Sequence, residues 1–253
     1  MTYRQFAYLY DELMKEAPYE KWTQLVIDSS SKYGVQGKKL LDLACGTGEL
    51  SVRLSKAGFQ VTGVDLSDDM LTVAANKAER NGEKLEFYQQ NMAELEGSEQ
   101  FNLIGIFCDS LNYLQTEKEV IDTFRSVHHH LEDDGLFIFD VHSIYKMMNV
   151  FVNQTFTLND DEISYIWEAF EGEEPYSVWH DLSFFVLDKH TGKYDRYDEQ
   201  HFQRTFPVEI YKAWLIEAGF EILEVTADFM HHTLQSDSER IFFTCRKQQA
   251  SLS

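Results

Sequence analysis

Five short apolar runs between Lys38 and His142 are separated by turns and by stretches of helical period, and this alternation constrains the fold more than any other feature of the chain. It predicts parallel strands joined by crossover helices that cover both faces of one sheet. The strands are expected at residues 39–45, 60–66, 85–91, 101–109 and 136–142. The intervening segments carry helix punctuation. Leu50, Leu54 and Ala57 share a helical face after Gly48, with Gly58 as a stop. Ser67 is placed to cap a helix whose first turn holds Asp68 and Asp69 and which ends at Asn81-Gly82.

From residue 151 to residue 206 the helical spacing disappears. Strand-like runs around a turn from Asp188 to Lys193, with Gly192 where φ > 0 is favoured, predict an antiparallel insert. Pro207 then opens a helix with Ile210, Trp214, Leu215 and Ala218 on its buried side, and Gly219 closes it. Strands at 221–229 and 239–246 are expected to complete the first sheet. The chain thus reads as an α/β core with N-terminal helices (1–150), an antiparallel β insert covering a substrate (151–206) and a final helix and strands (207–253). No repeat or low-complexity linker separates these parts, so one compact unit sharing a cleft is expected.

Charge bears on the partners. Forty-three Asp and Glu against 22 Lys and Arg leave a formal charge of −21 with histidine neutral, a field that repels phosphate backbones and anionic lipid. The segment 150–200 holds twelve acids and three bases. The expected partner is a small molecule, with no nucleic acid and no membrane. Cys45, Cys108 and Cys245 are odd in number and form no CxxC pair, which argues against a disulfide framework or a structural zinc site. No basic region followed by an apolar run opens the chain, and no run of about 18 uncharged apolar residues occurs. A cytoplasmic protein is expected.

The sharpest local signal is Leu40-Leu41-Asp42-Leu43-Ala44-Cys45-Gly46-Thr47-Gly48-Glu49-Leu50, at the first strand-to-helix junction. Small residues there let a ligand approach the backbone, and the helix that follows offers unpaired N–H groups. Seventeen residues beyond Gly48, Asp65 ends the second strand, where a carboxylate accepts both hydroxyls of a ribose. A glycine-rich turn alone is weak evidence; coupled to that acid at that spacing it is strong.

On these residues the sequence resembles the class I S-adenosylmethionine-dependent methyltransferases, whose first motif reads Asp/Glu-x-Gly/Ala-x-Gly-x-Gly and whose second ends in an acid. It is similar, over nearly its whole length, to a group of bacterial small-molecule methyltransferases. The resemblance implies a Rossmann-like seven-stranded sheet with the last strand antiparallel and helices on both faces. It implies S-adenosylmethionine as cofactor, with Asp42, Ala44, Gly46 and Gly48 around its methionine part, Cys45 in the same turn, and Asp65 on the ribose. Leu66 and Met70 would pack on the adenine. Asn91-Met92 falls where the family often has an acid for the adenine amino group, and Asn accepts there only through its carbonyl oxygen. The aromatic N-terminal stretch looks like a lid, in which Tyr10 and Trp22 would donate to the cofactor carboxylate. Cys108-Asp109-Ser110-Leu111-Asn112-Tyr113, at the end of the fourth strand, is where the family brings cofactor and substrate together.

The residues themselves give competing readings. Tyr10 and Trp22 also fit ordinary amphipathic packing. Cys108 reads more readily as a small buried hydrophobe than as a nucleophile. Three consecutive histidines, His128 to His130, point about 100° apart on a helix and read as a solvated helix end rather than a metal site. His231-His232 has the same weakness, so no metal is expected. Alternation in Glu199-Gln200-His201-Phe202-Gln203-Arg204-Thr205-Phe206 puts Glu199, His201 and Gln203 on one face, a candidate substrate wall against the alternative of a solvated strand. Tyr165, Trp179 and His180 are weaker candidates of that kind. If the attacking atom arrives protonated, His201 suits the role of general base, with Tyr113 and His142 as the other choices. Two other functions fit the glycine-rich turn. A dinucleotide-binding oxidoreductase is disfavoured because the last glycine of the GxGxxG pattern is Ser51 and no Tyr is followed four residues on by Lys. A non-catalytic module that binds S-adenosylmethionine or its demethylated product is the second.

Overall fold

The structure, a computed structural model, describes residues 9–11, 13–230 and 234–248. Its elements in chain order are α1 (Tyr19–Lys32), β1 (Lys39–Leu43), α2 (Glu49–Lys56), β2 (Gln60–Asp65), α3 (Asp68–Arg80), β3 (Glu86–Gln89), β4 (Phe101–Ile106), a 3₁₀ turn (Ser110–Tyr113), α4 (Glu117–His130), β5 (Leu131–His142), a π-helical turn (Lys146–Phe151), β6 (Gln154–Leu158), β7 (Ile163–Glu171), β8 (Ser177–Asp188), β9 (Lys193–Arg204), α5 (Val208–Glu217), β10 (Phe220–Ala227) and β11 (Arg240–Lys247).

Seven strands form one sheet in the order β3-β2-β1-β4-β5-β11-β10. The pairs from β3 to β5 are parallel, while β11 runs antiparallel to both β5 and β10. The central strands are near-continuous apolar runs because helices bury both of their faces. On one face Trp22, Val26, Leu54, Leu103, Ile138 and Phe242 pack together. On the other, Phe139 stacks on Phe243 with centroids 4.7 Å apart, against Phe124, Tyr211 and Leu215. Helix starts follow the capping residues. The Ser67 hydroxyl accepts from the Met70 N–H, and Thr116 forms a reciprocal capping box with Glu119.

The insert is a four-stranded antiparallel sheet, β6-β7-β8-β9. It leaves the core after β5 and returns before α5. Thr205 donates to the His142 carbonyl at 2.6 Å and Asn112 Nδ2 to the Arg204 carbonyl at 2.8 Å, tying the end of β9 to the ends of β4 and β5. Leu182 and Phe184 on its inner face are buried with Leu9, against Tyr10, Leu13 and Met70. Burying two such side chains is worth about 1.5–3 kcal/mol each, so apolar packing as well as hydrogen bonds holds the insert on the core.

Three expectations need correction. β5 begins at Leu131 rather than at residue 136, directly after α4. His128 to His130 are not a solvated helix end. His130 is buried with its Nδ1 on the Ser126 carbonyl, His128 lies edge-on to Phe220, and only His129 is exposed, because β10 packs against this end of α4. In α5 the buried residues are Tyr211, Trp214 and Leu215, while Ile210 is exposed: the buried stripe of this short helix is set by contact with β10 and α4, and by Tyr211 against Phe243 of β11. His231 and His232 lie outside the described residues. No described helix is long and apolar enough to cross a membrane.

Candidate active site

Beyond β1 the chain turns through left-handed backbone at Ala44 (φ 55°), Gly46 (φ 53°) and Gly48 (φ 73°) before α2 begins. The two glycines serve different ends. A Cβ added to Gly46 would meet no atom within 4 Å, whereas one on Gly48 would lie 2.8 Å from the Ala74 Cβ. Gly48 is therefore a packing glycine that lets α2 and α3 approach, and Gly46 presents open backbone. Asp42, 2% exposed, accepts from the Ser51 hydroxyl at 2.5 Å. Burial pushes its carboxyl up to about 7, against the lowering effect of that hydrogen bond. Asp65 accepts from the Gly46 N–H at 2.8 Å and from the Ser67 N–H at 2.9 Å, so the acid that ends β2 also holds the loop. Burial raises its pKa and these backbone donors oppose the rise.

Tyr10, Tyr19, Asp42, Gly46, Thr47 and Cys108 line a cleft over this loop, with Ala44, Cys45 and Ser110 beside them. Asp11 accepts from the Thr47 hydroxyl at 2.5 Å and pairs with Lys77 at 2.9 Å, which anchors the segment carrying Tyr10 across the cleft. Burial raises the Tyr10 phenol and the Cys45 and Cys108 thiols, so both cysteines are protonated at neutral pH. Leu66 stands 68% exposed just past Asp65, and Met70 packs with Leu9, Tyr10 and Leu13.

Of the residues expected on the cofactor, Trp22 has its one donor engaged elsewhere. Trp22 is buried and its indole N–H donates to Asp140 Oδ1 at 2.8 Å, while Arg240 lies over its ring. A buried carboxylate on β5 has taken the donor assigned to the cofactor. The Asn91 carbonyl oxygen accepts from the Ala93 N–H at 3.0 Å in its own exposed loop, a local turn that short amide side chains favour. Its neighbour Met92 packs beside the cluster under α4 and α5.

The end of β4 carries a dense polar network. Cys108 (φ 55°) and Asp109 (φ 54°) are consecutive left-handed residues, a conformation that costs of order 1–3 kcal/mol per residue and persists where its surroundings over-determine it. Asp140 supplies that determination. Its carboxylate accepts from the Cys108 and Asp109 N–H groups, each at 3.0 Å, from Trp22, and from the Arg240 guanidinium. The Asp109 side chain meets Arg240 at 2.8 Å, His142 Nε2 at 3.2 Å and Gln203 Nε2 at 2.8 Å. Burial alone would raise the Asp109 carboxyl, but His142 and Arg240 outweigh it and hold it well below the usual range.

Above this network a cavity of about 400 Å³ lies between the core and the inner face of the insert. Asp109, Tyr113 and His142 contribute from the core, and Tyr165, His180 and His201 from the insert. His201 sits edge-on to Tyr113 with ring centroids 5.9 Å apart, and burial lowers its pKa. Gln203 shares its face as the alternation implied, while Trp179 packs with Phe202 on the other face. Trp167 donates to His180 Nδ1 at 3.0 Å; burial, then the nearby His142, lowers His180 to about 4. The sequence reading missed Asp140, Arg240 and the bridging role of Asp109. An acid inside the apolar run Phe137-Ile138-Phe139-Asp140-Val141 was the available signal, because a carboxylate on a doubly covered strand demands a partner.

A seven-stranded sheet with its one antiparallel strand next to the edge, and an open glycine loop beside an acid at the next strand's end, define a nucleoside-cofactor fold of the methyltransferase type. A methyltransferase-domain family model matches residues 40–135. The chain is 54% identical to "Putative methyltransferase GWCH70_2453" of Geobacillus sp. strain WCH70, over 98% of this chain and all of that protein. It is 47% identical to "Putative methyltransferase YqeM" of Bacillus subtilis over the full length of both. The crystal structure of an S-adenosylmethionine-dependent methyltransferase from Clostridium acetobutylicum matches with a TM-score of 0.89 at 32% identity, covering 98% of this chain and 100% of that one. The chain belongs to the S-adenosylmethionine-dependent methyltransferases.

Proposed function

We propose that the chain methylates a small molecule bound beneath the insert, by in-line transfer from S-adenosylmethionine held in the glycine-loop cleft. The observation that carries this reading is that Tyr10, Cys108 and Ser110 line both the cleft and the cavity. A ligand in the one therefore presents an end to the other. The cleft and the strand end beside it suit the cofactor: Gly46 offers backbone without a side chain and Asp42 an acid for the methionine part within the cleft, and Asp65, bonded to the Gly46 N–H next to it, a carboxylate for the ribose. The cofactor supplies a methyl group made electrophilic by its positively charged sulfur.

The protein's contribution is alignment and exclusion of water, since fixing the attacking atom against its target removes most of the entropic barrier. The Asp140–Arg240–Asp109 network holds the backbone where the two spaces meet. His201, kept neutral by burial, accepts a proton from an attacking group that arrives protonated, and Tyr113 beside it orients that group. The acidic insert turns phosphates away from the cavity mouth.

Methyl-labelled cofactor incubated with the small-molecule, RNA and protein fractions of a cell extract tests the reading. Label is expected among small molecules, and label confined to RNA or protein would overturn it. His201→Ala is expected to lower kcat by about a hundredfold, the scale of general-base catalysis, with affinity for S-adenosylhomocysteine little changed. Wild-type turnover in that variant would remove His201 from the mechanism.

A further inference from the structure

We propose that the substrate is an amine with an apolar or aromatic body, held in the cavity as its ammonium and methylated on nitrogen. The inference rests on the reading of that cavity as the substrate site and deepens it.

Two sets of groups in the cavity favour an ammonium. Its walls are aromatic: Tyr113, Phe151, Phe156, Tyr165 and Trp167 line it. Ring faces carry negative potential and attract a cation without a compensating ion pair. The charged side chains at the cavity and their ion-pair partners are Asp109, Asp140 and Glu239 against Arg240 and Lys146. Both cations are already engaged. Arg240 meets Asp109 and Asp140, and Lys146 meets Glu239 while lying over the Phe151 ring. A carboxylate or phosphate entering this space would lose its hydration and find only cations that already face carboxylates, a costly burial. An ammonium meets a local excess of one negative charge, inside a chain whose formal charge is −21.

The histidines do not reverse this balance. His142 meets Asp109 through Nε2 at 3.2 Å while its buried Nδ1 has no hydrogen-bond partner among the described residues, so a single proton on Nε2 satisfies that ring's contacts. His180 accepts from Trp167 through Nδ1 at 3.0 Å, so that ring bears its single proton on Nε2 and is uncharged. His201 lies opposite it across the β8–β9 pairing and edge-on to Tyr113. The chemistry then balances without another reagent. The ammonium gives its proton to the His201 ring nitrogen. The nitrogen lone pair forms the new N–C bond as the C–S bond breaks, and that bond's electron pair stays on sulfur. An alcohol gains nothing from the negative excess.

The test uses three probes of one skeleton: phenethylamine, phenethyl alcohol and phenylacetate. Each is titrated calorimetrically at neutral pH into the full chain saturated with S-adenosylhomocysteine. The amine is expected to bind at least about tenfold more tightly than the alcohol, and phenylacetate to give no heat above dilution. Equal or tighter binding of the alcohol or the acid, or no binding by any of the three, overturns the assignment. Phe156→Lys places a cation in the wall from the one half-buried position of otherwise exposed β6. It is expected to reverse the order of amine and acid; an unchanged order also counts against the proposal. Saturation with S-adenosylhomocysteine is measured first, so failure of the cofactor reading is distinguished from failure of the amine assignment.

Discussion

Gly46 and Gly48 stand two residues apart in the same loop, both in left-handed backbone, yet alanine at the two positions should fail in different ways. In Gly46→Ala the new methyl meets no atom within 4 Å, so the folded state loses only the left-handed strain, about 1–2 kcal/mol. The same methyl stands where we place the cofactor. In Gly48→Ala the strain recurs, and the methyl lands 2.8 Å from the Ala74 Cβ and 3.2 Å from its Cα. Neither atom can swing away as the tip of a flexible side chain would. Overpacking of that kind adds about 1–3 kcal/mol, so Gly48→Ala should cost about 2–5 kcal/mol in all. Denaturant unfolding without ligand, with calorimetric titration of S-adenosylhomocysteine, separates the two. Gly46→Ala is expected to unfold at a slightly lower midpoint and to lose cofactor affinity by at least about tenfold. Gly48→Ala should show the larger loss of stability, with residual affinity tracking its folded fraction. If Gly46→Ala binds like wild type, or destabilises the fold as much as Gly48→Ala, the division of labour argued for this loop is wrong.

Other perturbations test neighbouring parts of the argument. Asp65→Ala should weaken S-adenosylhomocysteine binding by about 2 kcal/mol, the scale of a lost charge-assisted hydrogen bond; unchanged affinity would separate Asp65 from the ribose. Trp22→Phe keeps the ring under Arg240 but strips a donor from buried Asp140, so stability should fall by about 1–3 kcal/mol. A larger effect on cofactor affinity than on stability would restore Trp22 to the cofactor. His180 is neutral in the folded chain down to about pH 4 but titrates near 6.5 when unfolded. The unfolded state therefore binds more protons across that window, and up to about 3 kcal/mol of stability, present above pH 6.5, is lost as pH falls toward 4. His180→Gln should show a shallower decline in denaturant midpoint over that range, and a parallel decline would count against it. Gel-shift titration with transfer RNA or duplex DNA at low salt should show no retardation, whereas salt-sensitive binding would contradict the charge argument.

Much of the fold is local in origin. The five parallel strands, the Ser67 cap, the glycine stops and the antiparallel insert all follow from patterns within a few residues of one another, where periodicity and turn chemistry act directly. The Asp42 to Gly48 motif and Asp65 are legible for the same reason, since a phosphate-free nucleoside cradle is built from one turn and one strand end. His201 on the inner face of the insert is a parity statement, and strand parity survives in sequence.

What tertiary structure alone decided is the pairing of distant polar groups. Asp140 meets Trp22, 118 positions earlier, and Arg240, 100 positions later, and nothing within either local pattern names such a partner. Trp22 looked free for a ligand because its aromatic neighbours carry that suggestion, but a buried carboxylate must be satisfied and its indole was within reach. Gly48 looked like Gly46 because both are glycines in one motif; only the approach of Ala74 on α3 tells them apart. The sequence determined which backbone turns exist and which faces are apolar, since those are short-range properties of the chain. The three-dimensional packing decided which donors and charges remain for a ligand, because that depends on desolvation and on partners brought together across the sheet.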